Sequence, residues 1–336
     1  MEVSPADVQA DSVEPASSDT ASPEPVKEEE IVKEDEPVAG GAVPSESTSI
    51  ETKAPPAEQV PTETTPAVAR DITLLQTTVD LLRFVRFTDF VPCDYNKDGV
   101  VDILALNSRL STGYSFCGIG NGLFSEGPSF DLPFRPAAAV PLGASGDAMN
   151  GLFLVSSVGT VSLFYPLLED DPTVVSKASA FSVFRVDTAD GPIFAVHGED
   201  GTSVRIYLLV GGGLQDKGEY TALRASDITD WYNQVTMWDF LDEQEPFPLP
   251  PSGMEKTARI ADLNGDAIPD LIYYDSAKIV YLLSRDGETL AEEQTVPCHA
   301  KPVALRIADV DGNGFPDVLA LIGTSGTLEV YLVTPE

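Results

Sequence analysis

Three stretches of this chain alternate oxygen-bearing side chains closely enough to hold a cation. They run Asp94-Tyr-Asn96-Lys-Asp98-Gly99-Val100-Val-Asp102, Asp262-Leu-Asn264-Gly-Asp266-Ala267-Ile268-Pro-Asp270 and Asp309-Val-Asp311-Gly-Asn313-Gly314-Phe315-Pro-Asp317. Side-chain oxygens stand at positions 1, 3, 5 and 9, and position 7 (Val100, Ile268, Phe315) offers its carbonyl. Hard oxygen donors crowded into a tight loop suit Ca²⁺, which takes about six to eight of them. Three carboxylates per loop repel one another unless a cation lies among them. The pattern therefore predicts up to three Ca²⁺ sites. Position 6 must turn sharply, which Gly99 and Gly314 allow and Ala267 is not expected to. Metal-free Asx turns are the competing reading, since they favour the same residues. An EF-hand is excluded: its twelfth position needs a bidentate Glu, and here stand Ala105, Tyr273 and Ala320.

The elements around each loop repeat with it. An apolar stretch with partial alternation precedes it and reads as a strand. A continuous apolar run follows (103–106, 271–274, 318–322), the mark of a strand buried on both faces. A third strand comes next, at 203–210, 278–283, 327–333 and more weakly at 161–165. With that strand as a marker, two further units emerge at 137–167 and 180–210, whose loops (143–147, 187–191) have lost most ligands. Repeats of roughly 40–50 residues built from small antiparallel sheets predict an all-β fold, a β-propeller of five recognisable blades. The last unit has only three strands. Ile72–Val79 is expected to add the fourth and close the ring, which removes a sheet edge; a short amphipathic helix packed on one face is the alternative.

The text Asp-x-Asn-Gly-Asp-x-x-Pro-Asp-Leu resembles the FG-GAP/VCBS repeats of integrin α-chain propellers and many bacterial surface proteins. Phe116-Cys-Gly-Ile-Gly-Asn-Gly-Leu-Phe124 is similar to the Gly-Asn-Gly-x-x-Phe turn of VCBS repeats. The resemblance covers about 84–135 and 256–336. It implies that the acidic loops are inter-strand hairpins on one face of the propeller and bind Ca²⁺. It also implies an extracytoplasmic place and a role in adhesion, through a protein or glycan partner. Propellers of this family usually have seven blades, so an incomplete or seven-like ring is the alternative to a closed five.

An insertion at about 226–256 interrupts the repeat and concentrates Trp231, Tyr232, Met237, Trp238 and Phe240. Departures from a repeat map to loops on one face, often the binding face, and aromatics are enriched in interface hot spots. Trp231, Tyr232, Trp238 and Phe240 are thus the candidate partner-binding residues. The opposing reading makes 226–241 a helix whose aromatics pack onto a blade or plug the ring.

The chain carries 54 acidic and 20 basic side chains, a net charge of −34. That excludes a general nucleic-acid binder, which needs a basic footprint, and disfavours anionic lipid. Residues 1–70 hold 16 acidic and 4 basic side chains, ten prolines and no Phe, Tyr or Trp. Such a segment cannot bury enough apolar surface to offset chain entropy, so a disordered acidic tail is expected there, with the propeller over 71–336. No apolar run is long enough to span a membrane, and residues 1–30 do not read as a signal peptide. No catalytic motif stands out, and the expectation is a non-enzyme. A structural subunit in a larger assembly is the alternative function. A carboxylate glycosidase using the insertion's Asp227, Asp230, Asp239, Asp242 or Glu243 is the remote one. His197 and His299 read as turn residues.

Overall fold

The computed structural model describes residues 71–335 other than 82–84, 108, 144–150, 157–159, 165–172, 178–181, 189–190, 198–200, 211–212, 238–245, 286–288 and 324–325. The chain divides into two units, 1–62 and 63–336, and every described residue lies in the second. The expected acidic tail falls outside the described residues, as do Trp238, Phe240, Asp239, Asp242 and Glu243.

After β1 (Ile72–Asp80), strands follow in blade order. Blade one is β2 (Asp89–Cys93), β3 (Asp102–Asn107), β4 (Thr112–Gly120) and β5 (Leu123–Asp131). Blade two is β6 (Pro136–Pro141), β7 (Leu152–Ser156), β8 (Thr160–Phe164) and β9 (Thr173–Lys177). Blade three is β10 (Ser182–Thr188), β11 (Gly191–His197), β12 (Ser203–Val210) and β13 (Gly213–Arg224). The helix α1 (Ile228–Thr236) comes next, then β14 (Phe247–Leu249), which pairs in parallel with the end of β13. Blade four is β15 (Arg259–Ala261), β16 (Asp270–Asp275), β17 (Lys278–Leu282) and β18 (Gln294–Pro297). Blade five holds β19 (Ala304–Ala308), β20 (Asp317–Ile322) and β21 (Thr327–Pro335).

Blade five is completed from the other end of the domain. Its sheet order is β1-β21-β20-β19. β1 pairs antiparallel with β21 from Ile72 opposite Pro335 to Asp80 opposite Thr327. The ring therefore closes at five blades through the strand expected to close it, and the helix alternative for that segment falls away.

The second strand of each blade explains the continuous apolar runs. Successive side chains of a strand point to opposite faces, and here both faces meet a neighbouring blade. On β3, Ile103 and Ala105 join a cluster with blade five, while Leu104 and Leu106 join one with blade two. On β20, Leu319 and Leu321 face blade one, while Val318 and Ala320 face blade four. β11 differs on one side: Phe194 and Val196 face blade two, while Ile193 and Ala195 are covered by β14 of the insertion in place of a neighbouring blade. Outer strands lack this demand: β5 has no buried residue.

The insertion fills the joint between blades three and four. β14 puts Phe247 and Leu249 into the blade-three cluster. α1 puts Trp231 and Tyr232 against Ala258 and Leu271 of blade four. The helix starts where Asp227 caps it, its side chain accepting from the Asp230 N–H. Asp230 in turn accepts from the Ser226 N–H, the Ser226 hydroxyl and Gln234 Nε2. These two carboxylates serve the helix start.

Candidate metal centres

All three acidic loops join the innermost strand of a blade to its second strand: β2–β3, β15–β16 and β19–β20. Equivalent placement puts them at the same end of the ring. Their backbones also follow one hydrogen-bond plan. The position-5 N–H donates to the side-chain oxygens of positions 1 and 3: Asp98 to Asp94 and Asn96, Asp266 to Asp262 and Asn264, Asn313 to Asp309 and Asp311. The position-6 N–H donates to the other oxygen of position 1 in every loop. The position-7 N–H donates to position 5 at 2.7–2.8 Å. Side-chain oxygens are thereby drawn inward over a turn of fixed shape.

That turn needs two left-handed residues. Position 6 is Gly99 (φ 87°), Ala267 (φ 64°) and Gly314 (φ 86°). Ala267 thus makes the turn it was not expected to make, at the steric cost of a side chain in that region. Position 4 is left-handed too, in Lys97 (φ 65°), Gly265 (φ 73°) and Gly312 (φ 77°). A Cβ on Gly265 would meet the Phe315 ring at 2.6 Å, so the second and third loops touch.

Position 9 has a second role that spacing did not reveal. Asp102, Asp270 and Asp317 are fully buried. One oxygen of each accepts from the position-2 N–H of its own loop (Tyr95, Leu263, Val310). The other accepts from the backbone of the blade's third strand or just past it (Gly118, Ser284, Val333), at 2.7–2.8 Å. Each carboxylate staples three parts of a blade together. Burial pushes all three up, Asp270 to about 7 and Asp317 to about 6, against the backbone N–H groups that pull them down.

The loops differ in how tightly their acids converge. One oxygen each of Asp309, Asp311 and Asp317 lie within 4.8 Å of one another, the one such acidic trio among the described residues. In the second loop Asn264 and Asp266 are buried, while in the first Asn96 and Asp98 are exposed. An all-oxygen, strongly anionic donor set of this kind fits a hard cation.

Residues 245–320 match the FG-GAP-like repeat. Together with the five-blade arrangement, this match supports an FG-GAP repeat propeller. The matched segment spans the second loop and all of the third. No match was found among curated proteins. Similar solved structures include BBS1N in complex with ARL6DN (11% identity, 77% of this chain and 96% of that one, TM-score 0.44). A luciferin-regenerating enzyme is another (8% identity, 77% and 95%, TM-score 0.46). TcdB2-TccC3 without its hypervariable C-terminal region is a third (13% identity, 79% of this chain, TM-score 0.38), and this chain spans 15% of its length. None of these likenesses carries over an activity.

The propeller also places the remaining candidates. Trp231 is 5% exposed and Tyr232 fully buried. The Trp231 indole donates to the Pro248 carbonyl, and the Tyr232 hydroxyl donates to the Pro269 carbonyl at 2.6 Å. Both rings are taken up by the domain's own packing, and Tyr232 steadies the second acidic loop from behind. His197 ends β11, buried, with Nδ1 2.9 Å from the Ser182 hydroxyl. His299 lies largely exposed with Nδ1 2.7 Å from buried Glu329. No helix among the described residues is long and apolar enough to cross a membrane.

Proposed function

We propose that this propeller binds Ca²⁺ through its acidic loops and acts, without catalysis, as an interaction module for a protein or glycan partner at a cell surface or envelope. The convergence of Asp309, Asp311 and Asp317 carries the metal reading. The residues that would hold the ions are Asp94, Asn96, Asp98, Asp102 and the Val100 carbonyl; Asp262, Asn264, Asp266, Asp270 and the Ile268 carbonyl; and Asp309, Asp311, Asn313, Asp317 and the Phe315 carbonyl. A bound cation would neutralise the acids and stiffen one end of the ring.

The same end offers an apolar contact. The β4–β5 turn packs its Gly122 N–H on the Val310 carbonyl of the third loop at 3.3 Å. Its flanking residues Ile119 and Leu123 are 62% and 48% exposed. An exposed apolar pair rimmed by acidic loops is the surface we assign to the partner.

The test is a melt of the full chain in millimolar Ca²⁺ and in EDTA. A site filled to about 100 times its Kd adds about 2.7 kcal/mol. Identical melts would leave the Asx turns metal-free. Ile119→Asp and Leu123→Asp should melt normally and lose Ca²⁺-dependent capture on glycan and surface-protein arrays. Unchanged capture would remove the partner assignment.

A further inference from the structure

The five innermost strands do not close on the ring axis. They leave a cavity of about 500 Å³ to which β2, β6, β10, β15 and β19 all contribute, together with α1 and β14. Much of its wall is apolar, including Phe184, Trp231, Val235 and Phe247. The size falls within the range of about 300–1,000 Å³ typical of small-molecule sites.

Three arginines line this one space: Arg185 of blade three, Arg259 of blade four and Arg306 of blade five. That is unexpected in a chain of net charge −34. Among the described residues, Asp262 is the one acid in the lining, and its carboxylate accepts from the N–H groups of Gly265, Asp266 and Ala267.

Arg259 and Arg185 both reach backbone carbonyls, and Arg306 reaches a carboxylate as well. Arg259 donates to the carbonyls of Glu255, Lys256 and Ala258. Arg185 donates to the carbonyls of Pro141 and Gly143. Arg306 donates to Asp89 and to the carbonyls of Leu305 and Ala139. It is 7% exposed, and its Nε is buried without a hydrogen-bond partner. Burial and then the Arg306 charge hold Arg259 well below the usual guanidinium range. Asp89 is paired with Arg306 and also acts on Arg259, so the two guanidinium groups share that carboxylate, and desolvated positive charge beyond what it balances is costly.

We infer that the central cavity binds a small organic anion, its carboxylate or phosphate gripped by Arg185, Arg259 and Arg306 and its apolar body laid against Trp231, Phe184 and Val235. Guanidinium groups match either oxyanion through paired N–H donors. The aromatic walls select against a bare inorganic ion.

Calorimetric titration of the full chain with phenyl phosphate, benzoate and neutral benzyl alcohol tests this. At least one of the two anions should bind, more weakly as salt rises, while benzyl alcohol does not; the tighter anion tells phosphate from carboxylate. Arg259→Gln should weaken anion binding by about tenfold or more. Val235→Phe, which adds bulk to the wall and changes no charge, should abolish it with a normal melt. Equal binding of all three probes, or binding of none, overturns the inference. So does Arg259→Gln with wild-type affinity. If Arg259→Gln fails to fold, Val235→Phe that still binds anion as the wild type does overturns it equally.

Discussion

Arg306 Nη2 lies 2.5 Å from Asp89 Oδ1, across 217 positions of sequence, and ties the innermost strand of blade five to that of blade one. The pair is incomplete: Asp89 Oδ2 and Arg306 Nε are both buried without a partner. Asp89→Asn would leave the buried guanidinium facing a neutral amide. Breaking such a pair from one side destabilises by about 3–5 kcal/mol. Urea unfolding of the variant measures the loss, and a change under about 1 kcal/mol would show that the pair does little for the blade joint.

The acidic loops invite a substitution that improves on the natural residue. Ala267 is held at φ 64° where the other two loops have glycine. Ala267→Gly should stabilise by about 1 kcal/mol, because a left-handed residue with a Cβ carries a penalty of that order. Gly265→Ala should do the reverse, through both its φ and the Phe315 ring. Thermal melts of the two variants in EDTA should move in opposite directions.

Loop frame and metal ligands should separate by mutation. Asp317→Ala strands the Val310 and Val333 N–H groups in the interior. At about 1–3 kcal/mol for each orphaned donor, the variant should lose about 2–6 kcal/mol with or without Ca²⁺. Asp309 lies nearer the surface. Asp309→Asn should melt close to wild type in EDTA and lose the share of the Ca²⁺ gain that this loop supplies, while the other two loops keep theirs. Equal Ca²⁺ gains in Asp309→Asn and wild type would remove that loop as a metal site.

The helix of the insertion should behave as core. Trp231→Ala should cost about 3–5 kcal/mol. Tyr232→Phe should cost about 1 kcal/mol by losing the bond to the Pro269 carbonyl. Met237, which is 70% exposed, should tolerate Ala. Denaturant titrations decide this: a silent Trp231→Ala would move the indole back to the candidate partner-binding residues.

The blades were legible because each second strand is pressed from both sides. Leu104 and Ala105 must both be apolar for opposite reasons, and that leaves an unbroken run in the sequence. The closing strand was legible by subtraction, since blade five lacked a partner. The role of Asp102, Asp270 and Asp317 was half hidden: a carboxylate spaced as a ligand looks the same as one that staples N–H groups from the next strands. The parallel pairing of β14 left no signal in a three-residue Phe-Pro-Leu strand. The arginine cavity did leave one. Arg259 and Arg306 each stand three residues before the first Asp of their loops. A positive charge recurring at one repeat position on an innermost strand is a mark of something at the axis, and the acidic composition masked it.

The pairing of β1 with β21 also has a mechanical side. Ile72 stands opposite Pro335, so the chain enters one strand and leaves the other at the same end of the pair. Tension applied between these two flanks meets the strand pairs one at a time, as a zipper does, instead of loading all of them together in shear. The seam that closes the ring is thus the one a pull on its flanks would part most readily.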